Sequence, residues 1–451
     1  MEKLCKFGGI PLATREYIGK VIDVMVADKR RRYLVPSAPG KKDRADIKMT
    51  DHAIACSGIY KGIIDSPPAQ EIKKRIYEII PDFPNLASEL SLNLDKRISD
   101  IRNPGYVDSV KAFGEYASGM IISSILNKNG IKAKFLDPID LGFKIVGRGE
   151  KAKPDVKCYD KMGRKLKEIT GNSQIYVLGC YYGINRLGNI VTLPRSGNDT
   201  AAAVYSNVLN VAVYENYTNE DGLRVADPTV VASPRRIDKI THKEVRELSY
   251  TKFKLTTDCI LPLIEKGIPI HVLNIDNPLG EGTWVVKDRE VSSEEHIIGI
   301  AMKKGFVSMD IFKWFLADEV GFGADLFNVL KNRRIPYEHS PTGVDTISII
   351  LDNNYVKTDR KRRNLEEKIK ENCGPLELKF ANSLALVGVA GLGMKNHYDT
   401  HARIFSALAK AKIRVRTIDE GAEDLSTFIG VDDSSSEDAV RAVYDEFFVK
   451  K

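Results

Sequence analysis

Two stretches of roughly 70 residues near the C-terminal end run through the same order of elements, and this repetition narrows the folds open to the chain. The first, about 297–356, carries apolar runs at 298–302 and 306–311, a helical pattern over 323–332, then runs at 336–339 and 346–351. The second, about 376–448, carries a run at 384–389, a helical pattern over 399–411, runs at 414–419 and 426–431, and a closing helix over 436–447. Strand, Gly-rich loop, helix, strand, turn, strand, helix reads as a duplicated βαββαβ module of the ferredoxin-like α+β type, although residue identity between the copies is low. Ahead of it, strands at 3–7, 33–37, 132–136, 174–178 and 211–217 alternate with helices at 14–29, 115–127 and 200–209. Strands separated by helices predict an α/β sandwich with a mainly parallel sheet. The chain therefore divides into a catalytic domain over 1–285 and two modules over 295–375 and 376–451, an enzyme followed by a ligand-sensing tail.

Composition sets the surroundings of that enzyme. With 43% hydrophobic and 29% charged residues in 451, the chain is an ordinary globular protein of several domains. Met-Glu-Lys-Leu-Cys-Lys at the start is too short and too charged for a signal-peptide core, and no run approaches the roughly 18 apolar residues of a membrane span. The six cysteines include no CxxC pair, which predicts a reduced, cytoplasmic protein without a disulfide framework or zinc ribbon. Lysines and arginines number 68 against 61 acids, a net charge of +7 that points to no nucleic-acid partner. The one dense basic run, Lys357-Thr-Asp-Arg-Lys-Arg-Arg363, reads as a solvated loop feeding an amphipathic helix. His397 and His401 stand at i, i+4 spacing but lack a third ligand, so they read as helix surface and no metal site is predicted. Trp284 and Trp314 read as packing residues.

The chemistry-bearing segments fall where strands end. Lys6-Phe-Gly-Gly9 follows the first strand and opens a helix; two glycines let amides approach an anion, and a lysine beside them neutralises phosphoryl charge. Pro36-Ser37-Ala38-Pro39-Gly40 closes the second strand, and Gly114-Glu115 heads a helix where a carboxylate can meet a ligand ammonium. Arg195-Ser196-Gly197-Asn198-Asp199 precedes an alanine-rich helix; Asn198 or Asp199 reads as its N-cap, while Arg195 suits bidentate recognition of a carboxylate or phosphate.

Taken in order, Lys6-Phe-Gly-Gly9, Val35-Pro-Ser-Ala-Pro-Gly40, Gly114-Glu115, Arg195-Ser-Gly-Asn-Asp199, Tyr217-Thr218, Asp221-Gly222, Ala226-Asp-Pro228 and Lys239-Ile-Thr-His-Lys-Glu244 resemble the aspartate kinase family. The resemblance covers nearly the whole chain, because that family also ends in two ACT modules, matched here by Val344-Asp345-Thr346-Ile-Ser348 and by Gly388-Val-Ala-Gly-Leu-Gly-Met394 with Ile418-Asp419. It implies an amino-acid-kinase fold that uses ATP and Mg2+ to phosphorylate the side-chain carboxylate of L-aspartate. It implies that Lys6 stabilises the γ-phosphoryl and that Gly8 and Gly9 approach the phosphates. Ser37, Thr50 and Asn198 would line the acceptor site, Glu115 would hold the α-ammonium and Arg195 the α-carboxylate. Asp199 would organise the charges around the transfer, and Tyr217, Thr218, Asn219, Arg224, Asp227 and Pro228 would contact the nucleotide. A lysine or threonine effector would bind near Gly323, Ala324, Val344 and Asp345, at ACT modules pairing into a homodimer or a dimer of dimers.

Several positions depart from the family pattern. Ile10 and Pro11 stand where small hydroxyl residues follow the two glycines, and Cys180 replaces an aromatic residue. Ser196 replaces a glycine, Asn198 a serine, Asn219 an aspartate and Thr229 an arginine. In 250–256 the usual motif is absent, and Lys252 or Lys254 would supply a phosphate-binding charge there. Three readings stand side by side: an aspartate kinase, a related kinase activating a different carboxylate as an acyl phosphate, and a non-catalytic ACT-bearing regulatory protein.

Overall fold

The apolar residues Leu4, Cys5 and Phe7 are buried on both faces of a strand at the middle of a large sheet, which is why this strand reads as a run rather than as an alternation. The computed structural model describes residues 1–171, 174–249, 257–421 and 423–449; the 250–256 segment with Lys252 and Lys254 lies outside them. Two units emerge. The described residues within 1–223, 236–242 and 255–289 form the first, and those within 224–235, 243–254 and 290–451 form the second.

In chain order the strands of the first unit are β1 (Lys3–Phe7), β2 (Arg31–Pro36), β3 (Ala133–Leu136), β4 (Ile145–Val146), β5 (Lys153–Pro154) and β6 (Ile175–Leu178). They continue with β7 (Tyr182–Ile184), β8 (Ile190–Thr192), β9 (Val213–Thr218), β10 (Lys239–Thr241), β11 (Ile270–Asn274) and β12 (Thr283–Val286). Eight of them make one sheet in the order β10-β12-β11-β9-β1-β2-β6-β3, parallel at every pairing but β11–β12. Against one face, Ile18, Val21 and Met25 of helix Arg15–Ala27 and Ile121, Ile122 and Ile125 of helix Phe113–Lys128 pack with Cys5, Leu34 and Val177 in one core. The expected mainly parallel α/β sandwich is present.

The second unit holds β13 (Gly299–Phe312), β14 (Thr346–Asp352), β15 (Glu377–Ala390), β16 (Thr417–Glu420) and β17 (Ser426–Asp432), an antiparallel sheet in the order β14-β13-β15-β17-β16. β13 and β15 pair from Gly299↔Ala390 to Phe312↔Glu377, so the two repeats share one sheet. Val307, Met309 and Ile311 point toward Phe322 and Leu326 of helix Phe322–Asn332 and Leu365 and Ile369 of helix Asp359–Cys373.

Three local readings change. The two runs at 298–302 and 306–311 are one long strand, because Lys303, Lys304 and Gly305 bridge them without leaving the sheet. The expected strand at 336–339 is only a bridge between His339 and Ile350, so the first repeat lacks one strand of the βαββαβ pattern. The basic run is helical from Asp359 onward, capped by the Thr358 side chain at the Lys361 amide, rather than a loop throughout. Trp284 stacks on His271 with ring centroids 3.9 Å apart, whereas Trp314 is 60% exposed.

Candidate active site

The carboxyl ends of β1, β2, β6 and β9 lie side by side, the edge at which an open parallel sheet gathers ligand-binding residues. Register fixes who meets there: Lys6 is opposite Asn216, and Phe7 is opposite both Pro36 and Tyr217. Helices Phe113–Lys128 and Gly197–Leu209 carry Glu115 and Asp199 in their first turns.

Lys6 is the centre of a closed polar group. Its Nζ lies 2.7 Å from Asp199 Oδ1, with side-chain exposures of only 7% and 17%. Asn216 ties the pair together, its Oδ1 accepting from Lys6 at 3.4 Å and its Nδ2 donating to Asp199 Oδ1 at 3.2 Å. The Tyr214 hydroxyl donates to the same carboxylate oxygen at 3.3 Å. A buried charge pair held by further hydrogen bonds on its shared oxygen keeps its geometry firmly, and removing either partner strands the other. Asn216 and Tyr214 were missed in the sequence, although strand alternation from Tyr214 to Asn216 in a strand ending at Thr218 is a signal that could have found them.

Beside this group the first loop crosses the second. Gly40 donates its N–H to the Gly9 carbonyl at 2.7 Å, and a Cβ on Gly40 would stand 2.6 Å from the Gly9 carbonyl carbon. The Gly-Gly turn does not open a helix directly. It enters a 3-10 turn, Ile10–Leu12, which accepts Pro11 because the first internal N–H donor of the turn is that of Leu12, and the helix begins at Arg15 with Thr14 as cap.

Glu115 is 4% exposed, and its Oε2 has no hydrogen-bond partner among the described residues. Burial pushes its carboxyl up to about 8, against the opposing pull of the Glu115 and Ala38 amides. The preceding Gly114 is required by contact, since a Cβ there would lie 2.7 Å from Ala38 Cβ. Cys180 is buried and donates Sγ–H to the Pro36 carbonyl at 2.9 Å; burial first, then Glu115, push its thiol well up. Glu115, Lys6 and Asp199 all act on this thiol, so it sits within reach of both charge groups. Ser37 is also buried, and its hydroxyl accepts the Asn198 side-chain amide. Thr50 is half-buried in the first turn of helix Met49–Ser57, whose Met49 amide bonds the Pro39 carbonyl at 3.2 Å.

Neither Asn198 nor Asp199 caps helix Gly197–Leu209. The N-cap is Ser196, in the left-handed region at φ +64°, the conformation that favours glycine. That backbone turn leaves Arg195 exposed, without a hydrogen bond or ion pair among the described residues. The Tyr217 ring is withdrawn from the site, contrary to its expected role: it stacks on Phe7 at 4.9 Å and its hydroxyl donates to Glu215 Oε2 at 3.0 Å. What Tyr217 offers is its carbonyl, which accepts the Gly8 amide at 3.3 Å. Thr218 closes a turn onto Glu220, and Asn219 is exposed beside it.

The second unit holds the remaining expected residues. Arg224 donates to the Pro234 carbonyl, Pro228 is exposed, and Asp227 is spent on the Thr229 amide and hydroxyl at 2.8 and 2.7 Å. Gly323 and Ala324 lie inside the first turn of helix Phe322–Asn332, with Gly321 as its cap at φ +95°. Val344 is 75% exposed, and Asp345 Oδ1 accepts the Phe315 amide at 2.8 Å.

A lysine beside a glycine turn with an acid paired to it, and a separate buried carboxylate, gathered at the carboxyl edge of a mainly parallel sheet, define a class: an α/β enzyme with its polar site at the strand ends. The amino acid kinase family matches residues 1–274, and an ACT domain matches residues 387–447. Aspartokinase 3 of Bacillus subtilis is 32% identical over 99% of this chain and 98% of its own length. The crystal structure of Clostridium acetobutylicum aspartate kinase, described as an allosteric enzyme, superposes with a TM-score of 0.83 at 32% identity, covering 99% of this chain and all of that one. Escherichia coli aspartokinase III in complex with aspartate and ADP shares the fold, with a TM-score of 0.80 at 20% identity, 99% of this chain and 100% of that one being covered. This chain belongs to the aspartokinase family.

Proposed function

We propose that this chain transfers the γ-phosphoryl group of ATP to the side-chain carboxylate of L-aspartate, forming 4-phospho-L-aspartate, under control of an amino acid bound at its ACT modules. The observation that carries the reading is the pairing of two separate charge devices at one sheet edge. Lys6 and Asp199 stand at the glycine turn, and Glu115 stands buried and, among the described residues, without a partner for its Oε2.

The chemistry asks little covalent work of the protein. A carboxylate oxygen of aspartate attacks γ-phosphorus in line and the β–γ bridging oxygen leaves with ADP; the acceptor is already ionised at neutral pH, so no general base is needed. Lys6 turns from Asp199 toward the transferring group and screens its charge, while the amides of Gly8 and Gly9 approach the phosphates. Glu115 takes the α-ammonium and Arg195 the α-carboxylate, which leaves the β-carboxylate as the free nucleophile. Ser37, held by Asn198, and Thr50 line the acceptor. Asp199 fits a Mg2+ partner, because Lys6, Asn216 and Tyr214 occupy only its Oδ1 and leave Oδ2 open among the described residues. Bound there, Mg2+ supplies neutralisation of the phosphate oxygens. Regulation is assigned to the second unit, with lysine, alone or with threonine, as effector near Gly323, Ala324, Val344 and Asp345, in a homodimer or a dimer of dimers.

The test is ADP release from Mg-ATP with and without L-aspartate, with hydroxylamine trapping the acyl phosphate. Aspartate-dependent ADP with a matching hydroxamate, inhibited by lysine or by lysine with threonine, is the expected result. Turnover only with another carboxylate refutes aspartate as acceptor, and silence across a carboxylate panel refutes catalysis.

A further inference from the structure

His397 and His401, adjacent at helical spacing, are drawn apart by the fold. His401 lies on helix Thr400–Lys410, with Nε2 2.8 Å from Thr427 Oγ1 and 2.9 Å from Glu420 Oε1, committed to β16 and β17. His397 stands ahead of that helix and stacks on His296, from the segment entering β13, with ring centroids 3.8 Å apart and planes 25° apart. Asp399 completes the group. One donor atom each from His296, His397 and Asp399 lies within 4.8 Å of the other two, and His296 Nδ1 is 3.7 Å from Asp399 Oδ1. All three belong to the second unit, and none takes part in the proposed phosphoryl transfer.

We propose that His296, His397 and Asp399 form a binding site for a divalent transition metal of the zinc class, joining the segment that enters β13 to the start of helix Thr400–Lys410. Two imidazoles and a carboxylate suit zinc better than magnesium or calcium, which prefer all-oxygen shells, and three protein ligands leave a fourth position to water. The His397 ring makes no hydrogen bond among the described residues, so turning onto a metal costs it only the stack on His296.

The hydrogen bonds around His296 define what loading changes. Arg403 can only donate, so its NH1 at 3.1 Å makes His296 Nε2 the acceptor. The ring proton then sits on Nδ1 and is donated to Thr400 Oγ1 at 3.0 Å, while the Thr400 hydroxyl donates to the His397 carbonyl at 3.1 Å. A metal at this centre takes the Nδ1 lone pair. The Nδ1 proton leaves to solvent, Nε2 gains one from solvent, and His296 gives up two contacts, its Nδ1 bond to Thr400 and the NH1 bond to Nε2, while Arg403 Nε and NH2 stay on Glu446. Arg403 is therefore a brake on the site, and an acceptor in its place would favour loading.

The full chain, stripped with a chelator, is titrated with Zn2+ against a chromophoric chelator, and with Co2+ while its visible d–d bands are followed. Asp399 is 59% exposed, so Asp399→Asn tests the site without disturbing the core; His397→Ala is the second variant and His401→Ala the control. The wild type and His401→Ala are expected to bind one more metal per chain than Asp399→Asn and His397→Ala, with Co2+ bands that those two variants lose. Arg403→Gln is expected to tighten binding about tenfold. Equal uptake by wild type and Asp399→Asn, as zinc held on cysteines would give, overturns the proposal, and so does loss of binding in His401→Ala.

Discussion

Glu115 gives the sharpest quantitative handle on this site. Its carboxyl is held near 8 by burial, so in the ligand-free protein at pH 7 the neutral form outweighs the carboxylate by about ten to one. An ammonium needs the carboxylate. Binding aspartate at pH 7 therefore carries a deprotonation cost of about 1.4 kcal/mol, rising to about 2.7 kcal/mol at pH 6 and vanishing above about pH 8. The expected outcome is a KM for aspartate that falls about tenfold per pH unit between pH 6 and 7.5 and flattens beyond pH 8, with a much weaker slope in KM for ATP. One proton is released per aspartate bound at pH 7, measurable by calorimetry in two buffers of different ionisation enthalpy. Glu115→Gln cannot ionise, so its KM should be higher throughout and free of that slope. A flat aspartate KM between pH 6 and 8, or a slope retained in Glu115→Gln, refutes the placement of the α-ammonium at Glu115.

The same group acts on folding with a fixed sign. Its folded pKa lies above the unfolded one, so between about pH 4.5 and 8 the folded chain keeps a proton that the unfolded chain gives up, and ligand-free stability falls by up to about 5 kcal/mol as pH rises. Thermal scans at pH 8 should accordingly find Glu115→Gln more stable than wild type, with the difference gone by pH 4.5. Lys6→Gln strands Asp199 and removes the phosphoryl-facing charge; kcat should fall about 100-fold or more while aspartate binding, read by calorimetry, changes little. Ser196→Gly releases a side chain from φ +64° and should stabilise by about 1 kcal/mol in urea unfolding. Gly114→Ala drives a methyl to within 2.7 Å of Ala38 and should cost about 1–3 kcal/mol together with a loss of kcat/KM for aspartate.

Period and punctuation alone fixed much of this protein. Long buried runs bounded by glycine marked the strands of the parallel sheet, the repeated element order marked the tail, and Lys6, Glu115, Arg195 and Asp199 stood out as charges placed where a strand ends or a helix begins. Those signals are local, so one chain of residues carries them. Pairings over long separations carry no such trace. Only the register of β1 against β9 makes Asn216 the bridge between Lys6 and Asp199, and only burial turns Glu115 from a surface carboxylate into a neutral acid at pH 7. The family resemblance implied a nucleotide contact for Tyr217, yet the strand's pleat points its ring into the core against Phe7. His397 read as the partner of His401 at helical spacing; the helix starts too late for that, and the sheet brings His296 to it instead. Sequence placed each charge along the chain, whereas packing set which charges meet and how much water each one keeps.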